Sequence, residues 1–353
     1  MIIQDSSDNI FWLPFYSLND KMHESPYFPF LLITQLSIFL STAYVIIRTC
    51  LIFVNIKVFH ENMNILMAWF LFQWFEAILA KLVIIPYQLG LILISDKERT
   101  IFNWWTDNDK EIVRVNEPDF PLLLASYLLW HYMYSMIAAI LAIGWERVFA
   151  TIYIQDYESV PRRHIPILLI LITNLITIPY SYLVITNRIS FLITLLISFI
   201  IATMVCSGYF TLYRVNLIMR NRMAKRNDND KYCLARKFQV EENIRSLILA
   251  RKLVIMAVIY LSVTLLILLS MVFGVLEGAI LVYVLDNSIF AAPLVLGITL
   301  LYCSPAWKEA FTSRLPLIRN YRNPRITQLS YVSVNKEKQE SDVHFQQLKL
   351  AWE

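Results

Sequence analysis

Seven long apolar stretches constrain the fold of this chain more than any other feature of its sequence. A helix needs roughly 20 apolar residues to cross the hydrocarbon core of a bilayer, which is about 30 Å thick. The seven stretches that are long enough cover residues 28–54, 65–94, 122–144, 165–185, 189–213, 253–276 and 279–303. We therefore expect an all-α membrane protein built as a bundle of seven transmembrane helices.

The composition supports the same class. Hydrophobic residues make up 58% of the chain and charged residues 16%, and the mean hydropathy is +0.54, which is far from the values of soluble globular domains. The net charge of +4 needs no nucleic-acid partner, because basic residues beside a bilayer are attracted to anionic lipids on its inner surface. We expect membrane lipids as a partner and no nucleic acid.

The Lys and Arg residues predict the orientation of the bundle. If the N-terminus lies outside, the cytoplasmic side holds 24 of them and the outer side holds 6. Positively charged residues accumulate on the cytoplasmic side of membrane proteins, so the N-terminus is predicted to be extracellular and the C-terminus cytoplasmic. The chain then divides into an extracellular N-terminal segment (1–27), a seven-transmembrane domain (28–303) and a cytoplasmic tail (304–353).

The start of that tail, "SPAWKEAFTSRLPLIR", alternates apolar Trp307 and Phe311 with basic Lys308 and Arg314. Such a pattern is typical of a short amphipathic helix on the inner membrane surface.

The longest outer connection, between the second and third stretches, surrounds Trp104 and Trp105 with seven acidic and four basic residues. Tryptophan favours the level of the lipid headgroups, so one interpretation is an interfacial anchor. The other is a lid over an outer-facing pocket, and it makes Trp104 and Trp105 candidate ligand-binding residues.

Charged residues inside a span are costly and each needs a partner or a role. Glu76 and Lys81 are five residues apart on the second stretch, which places them on different helix faces. Asp286 lies at a depth comparable with Lys81, so the two could pair if the second and seventh helices are neighbours. Lys81 and Asp286 are either an interhelical pair that fixes packing or contacts to a ligand.

The third stretch carries polar aromatic residues at pocket depth. Its "LLWHYMYSM" segment places His131 and Tyr134 about 15 Å below the outer surface. His131 is either a packing residue with a satisfied hydrogen bond or a ligand contact, and Tyr134 is a second candidate contact.

Glu146 and Arg147 lie at the inner end of the third stretch, about 36 Å along the helix from residue 122. They are either charges that mark the exit from the membrane or part of a switch.

After the fifth stretch, Lys237, Glu241 and Arg245 follow each other at intervals of four, which suits a solvated helix face or a docking surface for a cytoplasmic partner.

Three segments carry a family resemblance: "FQWFEAILAKLVIIPYQLG", "WHYMYSMIAAILAIGWERVFATIYIQDYE" and "YCLARKFQVEENIRSL". With their order and surroundings, the chain resembles the nematode serpentine chemoreceptors of class epsilon, the Sre family, from "FWLPFYSLND" to the end of the last span. The resemblance implies a G protein-coupled receptor in the plasma membrane of chemosensory neurons. Its partners would be a small chemical ligand and a heterotrimeric G protein, with homo- or hetero-oligomers left open.

By the same resemblance, Glu146, Arg147 and Val148 are similar to the Asp/Glu-Arg-Tyr switch of rhodopsin-like receptors, whose arginine is held at rest and meets the G protein on activation. The sequence lacks Cys-Trp-x-Pro in the sixth stretch and Asn-Pro-x-x-Tyr in the seventh, and it lacks the outer cysteines of those receptors. Candidate coupling residues are Glu146, Arg147, Lys237 and Arg245.

Two other function classes are compatible with a chain of several membrane spans. An odorant-gated ion channel subunit with seven helices would place its N-terminus inside. An intramembrane hydrolase would need several His and Asp ligands around a metal, whereas only His131 of the five histidines lies in a span. We therefore expect no enzymatic activity, no metal site and no cofactor.

Overall fold

Long helices form a bundle, and short strands cover one of its ends. The computed structural model describes residues 1–19, 24–56, 58–94, 101–102, 112–114, 119–153, 162–225, 233–272 and 279–313. The helices are α1 (Phe28–Asn55), α2 (Glu61–Phe72), α3 (Trp74–Gln88), α4 (Phe120–Ile152), α5 (His164–Ile185), α6 (Phe191–Lys225), α7 (Cys233–Val272), α8 (Ala279–Cys303) and α9 (Pro305–Thr312).

Among the residues that the structure describes, six helical segments are long and apolar enough to cross a membrane. They are Phe28–Asn55, Glu61–Gln88, Phe120–Ile152, His164–Ile185, Leu196–Arg222 and Leu281–Cys303. The sixth predicted stretch, 253–276, falls for the most part within α7, which is not one of these six. The structure thus supports a multi-pass helical protein, while the seventh crossing and the orientation of the termini stay predictions.

The second span is made of two helices. α2 and α3 meet at Gln73, whose backbone keeps near-helical angles (φ −58°, ψ −17°), so the chain continues in about the same direction through one span. Prolines lie inside three helices, at Pro86 in α3, Pro179 in α5 and Pro293 in α8.

α4 is the central helix. It packs against α2, α3, α5, α6 and α7, while α1 packs against α2 and α8. Buried Ala139 and Ala142 face the α2 and α5 side of α4, where small side chains allow helices to approach closely. Large apolar side chains such as Leu175 and Phe199 are exposed on the outside of the bundle, as contact with lipid tails requires.

Five short strands lie at the end of the bundle near the start of α1, which we call the outer end in keeping with the predicted orientation. β1 (Ile2–Gln4) pairs with β2 (Ile10–Trp12) antiparallel and with β5 (Val113–Arg114) parallel, while β3 (Ser17–Leu18) pairs antiparallel with β4 (Ile101–Phe102). The expectation of an all-α protein did not include these strands. They join the N-terminal segment to the connection between α3 and α4.

α9 docks onto the inner end of the bundle. Trp307 is fully buried, its ring lies 4.6 Å from that of Phe53 and 5.3 Å from that of Phe59, and its Nε1 donates a hydrogen bond to the Ile56 carbonyl at 3.2 Å. The sequence predicted a helix on the membrane surface. In the structure, the Trp307 side chain of this helix packs into the bundle, and the position of α9 on the membrane surface stays a prediction. Residues 314–353 lie outside the described part of the chain.

Candidate functional site

Lys81 and Asp286 lie at the interface of α3 and α8 near the outer end. They are joined through Gln88, which accepts a hydrogen bond from Lys81 Nζ at 2.7 Å and donates one to Asp286 Oδ2 at 2.9 Å. The Tyr16 backbone N–H donates to Asp286 Oδ1 at 3.2 Å, so the N-terminal segment reaches the same carboxylate. Burial, together with the charge of Asp286, raises the pKa of the Tyr16 phenol. The sequence singled out the two charges but not their amide bridge.

A cleft between α1, α3 and α8 opens beside this cluster. Its polar lining includes Gln35, Tyr283 and Asn287 in addition to the residues of the cluster, and Phe28 and Leu32 are among its apolar residues. Gln35 Nε2 donates to Asn287 Oδ1 at 2.7 Å, and the Tyr283 hydroxyl donates to Gln35 Oε1. A polar cleft in this position can hold a small molecule by hydrogen bonds and charge.

His131 belongs to a second, deeper cluster. Its Nδ1 lies 2.7 Å from Glu76 Oε1, and its Nε2 lies 3.3 Å from Ser135 Oγ, which in turn lies 3.4 Å from Thr177 Oγ1. The cluster joins α3, α4 and α5. The sequence did not predict this pairing, although Glu76 and His131 were both polar residues in need of a partner within neighbouring stretches.

Tyr134 lies in a third place, under the N-terminal strands. Its ring stacks on Trp130 at 5.6 Å and meets Tyr180 edge-on at 4.6 Å. Trp130 also packs on Trp12 at 4.7 Å and donates its Nε1–H to the Trp12 carbonyl at 2.8 Å. The N-terminal strands therefore cover this side of the bundle.

Trp104 and Trp105, the predicted lid, lie outside the described residues. The four candidate ligand-binding residues that the structure describes lie in three separate clusters: Lys81 and Asp286 in the first, His131 in the second and Tyr134 in the third.

The inner end of α4 holds a buried ionic cluster. Arg147 Nε lies 2.5 Å from Glu146 Oε2 and Nη2 lies 2.6 Å from Oε1, a bidentate pair whose members are 1% and 0% exposed. Arg147 Nη1 also donates to Ser246 Oγ at 3.0 Å and to Asn243 Oδ1 at 3.3 Å. Both acceptors belong to α7, so the arginine ties α4 to α7.

Amide and hydroxyl groups extend this cluster to α6. Asn243 Nδ2 donates to Thr151 Oγ1 at 3.3 Å and to Asn216 Oδ1 at 3.3 Å, and Asn216 Nδ2 lies 3.4 Å from the same threonine oxygen. Sequence reasoning missed Thr151, Asn216, Asn243 and Ser246, because uncharged polar residues near a span end are too common to stand out.

The other two candidate coupling residues lie on α7. Arg245 is exposed one residue before Ser246, and the Lys237 side chain lies outside the described residues. Among the described residues, no group of three or more His, Cys, Asp or Glu side chains could hold a metal ion.

Comparison with known proteins decides the family. The family model described as "Sre G protein-coupled chemoreceptor" matches residues 1–353. The chain belongs to the Sre family. Serpentine receptor class epsilon-37 of Caenorhabditis elegans is 50% identical over all of this chain and 99% of its own length. Serpentine receptors class epsilon-38 and epsilon-27 of the same species are 36% and 30% identical, each over the full length of both chains.

Membership in the Sre family makes this chain a multi-pass membrane protein of a G protein-coupled chemoreceptor family, and the resemblance found in the sequence is thereby confirmed. The family is one of receptors and not of enzymes. In the part of this Sre chain that the structure describes, the buried Arg147 cluster is a candidate site for G protein coupling and the polar outer cleft is a candidate site for a ligand.

Proposed function

We propose that this chain is a chemosensory receptor that crosses the plasma membrane seven times, with its N-terminus outside, in chemosensory neurons. A small external chemical cue binds between the outer halves of its helices and activates a cytoplasmic heterotrimeric G protein. The proposal rests on the Sre family match and on the arrangement of charged residues at the two ends of the bundle.

The observation that carries the proposal is the buried Arg147. The guanidinium is bound to its neighbour Glu146 on α4 and to Asn243 and Ser246 on α7. A buried charge is stable only while its hydrogen bonds are made, so separation of α4 from α7 requires new partners for Arg147. A G protein at an opened inner face supplies such partners, which links opening to coupling.

The activation step is a shift between two populations. A ligand changes the balance only as far as it binds one form more tightly than the other. Hydrogen bonds to a charged group contribute about 1.5–3 kcal/mol each, so the two contacts from Arg147 to α7 supply a closed-state bias of the size that a small ligand can overcome. To move the ratio of open to closed receptor from about 1:99 to 99:1, the ligand must bind the open form about 5.5 kcal/mol more tightly than the closed form.

The decisive experiment replaces Arg147 with Ala and measures G protein activation at matched surface expression. We expect loss of stimulated activation, because the closed and the coupled forms both use the guanidinium. Arg188→Ala is the matched control, since Arg188 is an exposed arginine in the connection between α5 and α6 at the outer end. Full signalling by Arg147→Ala would reject the switch.

The orientation has its own test. An epitope tag at residue 1 is expected to be stained on intact cells. Staining only after permeabilisation would contradict the proposed orientation and favour the odorant-gated channel, which has its N-terminus inside.

A further inference from the structure

We propose that the cleft between α1, α3 and α8 is the ligand site of this receptor, and that its ligand is a small zwitterion that carries an ammonium, a carboxylate and a short apolar group. This inference deepens the proposed function and rests on it for the claim that a ligand bound here activates the receptor. The site itself follows from the side chains that line the cleft.

The polar groups of the cleft lie at one depth. Gln35 is seven residues from Phe28, where α1 begins; Lys81 is seven residues from Gln88, where α3 ends; and Asp286 is seven residues from Ala279, where α8 begins. At 1.5 Å per residue, all three lie about 10 Å below the outer ends of their helices. Three helices thus carry polar residues at one backbone level, and the Lys81 side chain reaches from there to Gln88 at the outer end of α3.

The charges at that level match a ligand with two opposite charges. Lys81 is 3% exposed, and the described structure places the Gln88 amide between its ammonium group and the Asp286 carboxylate. An amide satisfies hydrogen bonds but carries no charge, so among the described residues neither Lys81 nor Asp286 is directly bonded to an ion of opposite charge. The buried Met1 ammonium is another cation close to Asp286, and it is bonded to the Leu13 and Phe15 carbonyls. A ligand carboxylate at Lys81 and a ligand ammonium at Asp286 form hydrogen-bonded ion pairs in which both partners are charged, whereas each bond to the Gln88 amide has only one charged partner.

A ligand with a single charge fits less well. It forms an ion pair with one protein charge and leaves the other bonded only to uncharged groups in a buried site, while the ligand's own charge still has to leave water. The cleft therefore favours zwitterions over simple acids and simple amines. An uncharged odorant can form hydrogen bonds to either charge but no ion pair, so it offers no more than the Gln88 amide already provides.

The remaining lining sets the shape of the ligand. Gln35 and Asn287 are hydrogen-bonded to each other and form a polar wall. Phe28 and Leu32, nearer the start of α1, together with Leu89 just after α3, form the apolar part of the lining. An apolar group of the ligand that points towards the outer end of the bundle contacts these side chains.

Entry of the ligand requires Gln88 to move. The cavity volume is about 40 Å³ as the side chains stand, which suffices for a water molecule and not for a zwitterion. Gln88 is the last residue of α3, so its side chain can rotate without disturbing a following turn of helix. When the ligand displaces the Gln88 side chain, the ligand takes the place of Gln88 as the bridge between α3 and α8.

The test measures binding without a G protein. Purified receptor in lipid nanodiscs is heated with L-alanine or L-leucine, and in parallel with leucine methyl ester, which keeps only the ammonium, or 4-methylpentanoate, which keeps only the carboxylate. A ligand that binds the folded form raises the midpoint of thermal unfolding. We expect the zwitterions to raise it, with half-maximal concentrations at least about tenfold lower than those of the single-charge analogues.

Three variants locate the site. Lys81→Met and Asp286→Asn are expected to raise the half-maximal concentration of L-leucine about tenfold or more, because each removes one charge contact. Leu32→Trp keeps both charges and fills the cleft from an exposed position (43%), so it reports on the site even if the charge variants fold poorly. Arg188→Ala, at an exposed arginine outside the cleft, is expected to leave the shift unchanged.

Equal shifts from the single-charge analogues, shifts that survive in Leu32→Trp, or no shift with either zwitterion would each overturn the inference. Binding of a zwitterion that depends on Lys81 and Asp286, without any G protein response in cells, would support the site and contradict the proposed signalling function. The two proposals therefore fail separately.

Discussion

His131 Nδ1 lies 2.7 Å from Glu76 Oε1 in the interior of the bundle, and this contact links α3 to α4. His131 is buried, Glu76 is partly buried, and Ser135 and Thr177 are the next polar groups along the cluster. The pair therefore holds the two helices in one register, which is a structural role for two residues that the sequence alone presented as costly polar groups.

Replacement of one member of this pair is expected to destabilise the receptor. Glu76→Leu leaves the buried His131 without its carboxylate partner, at a cost of about 1–3 kcal/mol in the free energy of unfolding, and His131→Leu leaves the partly buried Glu76 without its partner, at a smaller cost. The double variant leaves neither group unpaired, so its cost is expected to be smaller than the sum of the two. Thermal unfolding in nanodiscs measures all three, with Thr34→Val as a control at an exposed hydroxyl bonded to its own helix. Additive costs would show that the contact does not couple the residues.

Release of Arg147 from α7 is expected to raise basal signalling. Asn243→Ala removes one acceptor of the guanidinium and both links from Asn243 to Thr151 and Asn216, so the closed inner face loses stability. A loss of about 1.4 kcal/mol shifts the balance towards the open form tenfold. Ligand-independent G protein activation is the measurement, and Asn55→Ala, an exposed asparagine at the inner end of α1, is the control. Basal activity at the unmodified level would contradict the closed-state role.

The hydrogen bond from Trp130 Nε1 to the Trp12 carbonyl is expected to hold the N-terminal strands on the bundle. Trp130→Phe keeps an aromatic ring beside Trp12 and Tyr134 but removes the donor, at a cost of about 1 kcal/mol. Hydrogen exchange of the backbone amides in Ile2–Gln4 and Ile10–Trp12 should then be about fivefold faster, while exchange in α5 stays the same. Unchanged exchange in the strands would mean that packing alone retains them.

Gly90 has a conformation and a neighbour that favour glycine. Its φ is +69°, and a Cβ there would lie 3.3 Å from the Asn19 Cα. Gly90→Ala is therefore expected to destabilise the receptor by about 1–2 kcal/mol. Gly208→Ala in α6 is the matched control, because a Cβ there meets nothing within 4 Å and helical Ala is favoured over Gly. Thermal unfolding should separate the two variants, and equal midpoints would contradict the strain at Gly90.

Trp307 is expected to anchor α9. Trp307→Ala removes a fully buried ring from between Phe53 and Phe59, at a cost of about 3–5 kcal/mol. Trp307→Phe loses mainly the hydrogen bond to Ile56, at a cost of about 1 kcal/mol. Thermal unfolding and hydrogen exchange over Pro305–Thr312 measure both effects, with Lys308→Ala as an exposed neighbour for comparison. Equal behaviour of the Ala and Phe variants would show that the ring packing is dispensable.

Local composition was sufficient to predict most of the helices. α4, α5 and α8 contain or coincide with the predicted stretches 122–144, 165–185 and 279–303, because length and hydropathy are properties of each segment by itself. The same reasoning singled out Lys81, Asp286, His131, Glu146 and Arg147, since a charge or polar group beside apolar residues is conspicuous without knowledge of the fold.

The sequence by itself therefore determined that the chain enters a membrane repeatedly and which family it belongs to. Only the tertiary structure decided that Glu76 meets His131, that Gln88 joins Lys81 to Asp286, and that Arg147 reaches Asn243 and Ser246. It also paired β1 with β5 across more than a hundred residues. The physical reason is that apolarity needs no partner in the chain, whereas a hydrogen bond depends on which helices are neighbours and how each is rotated about its axis.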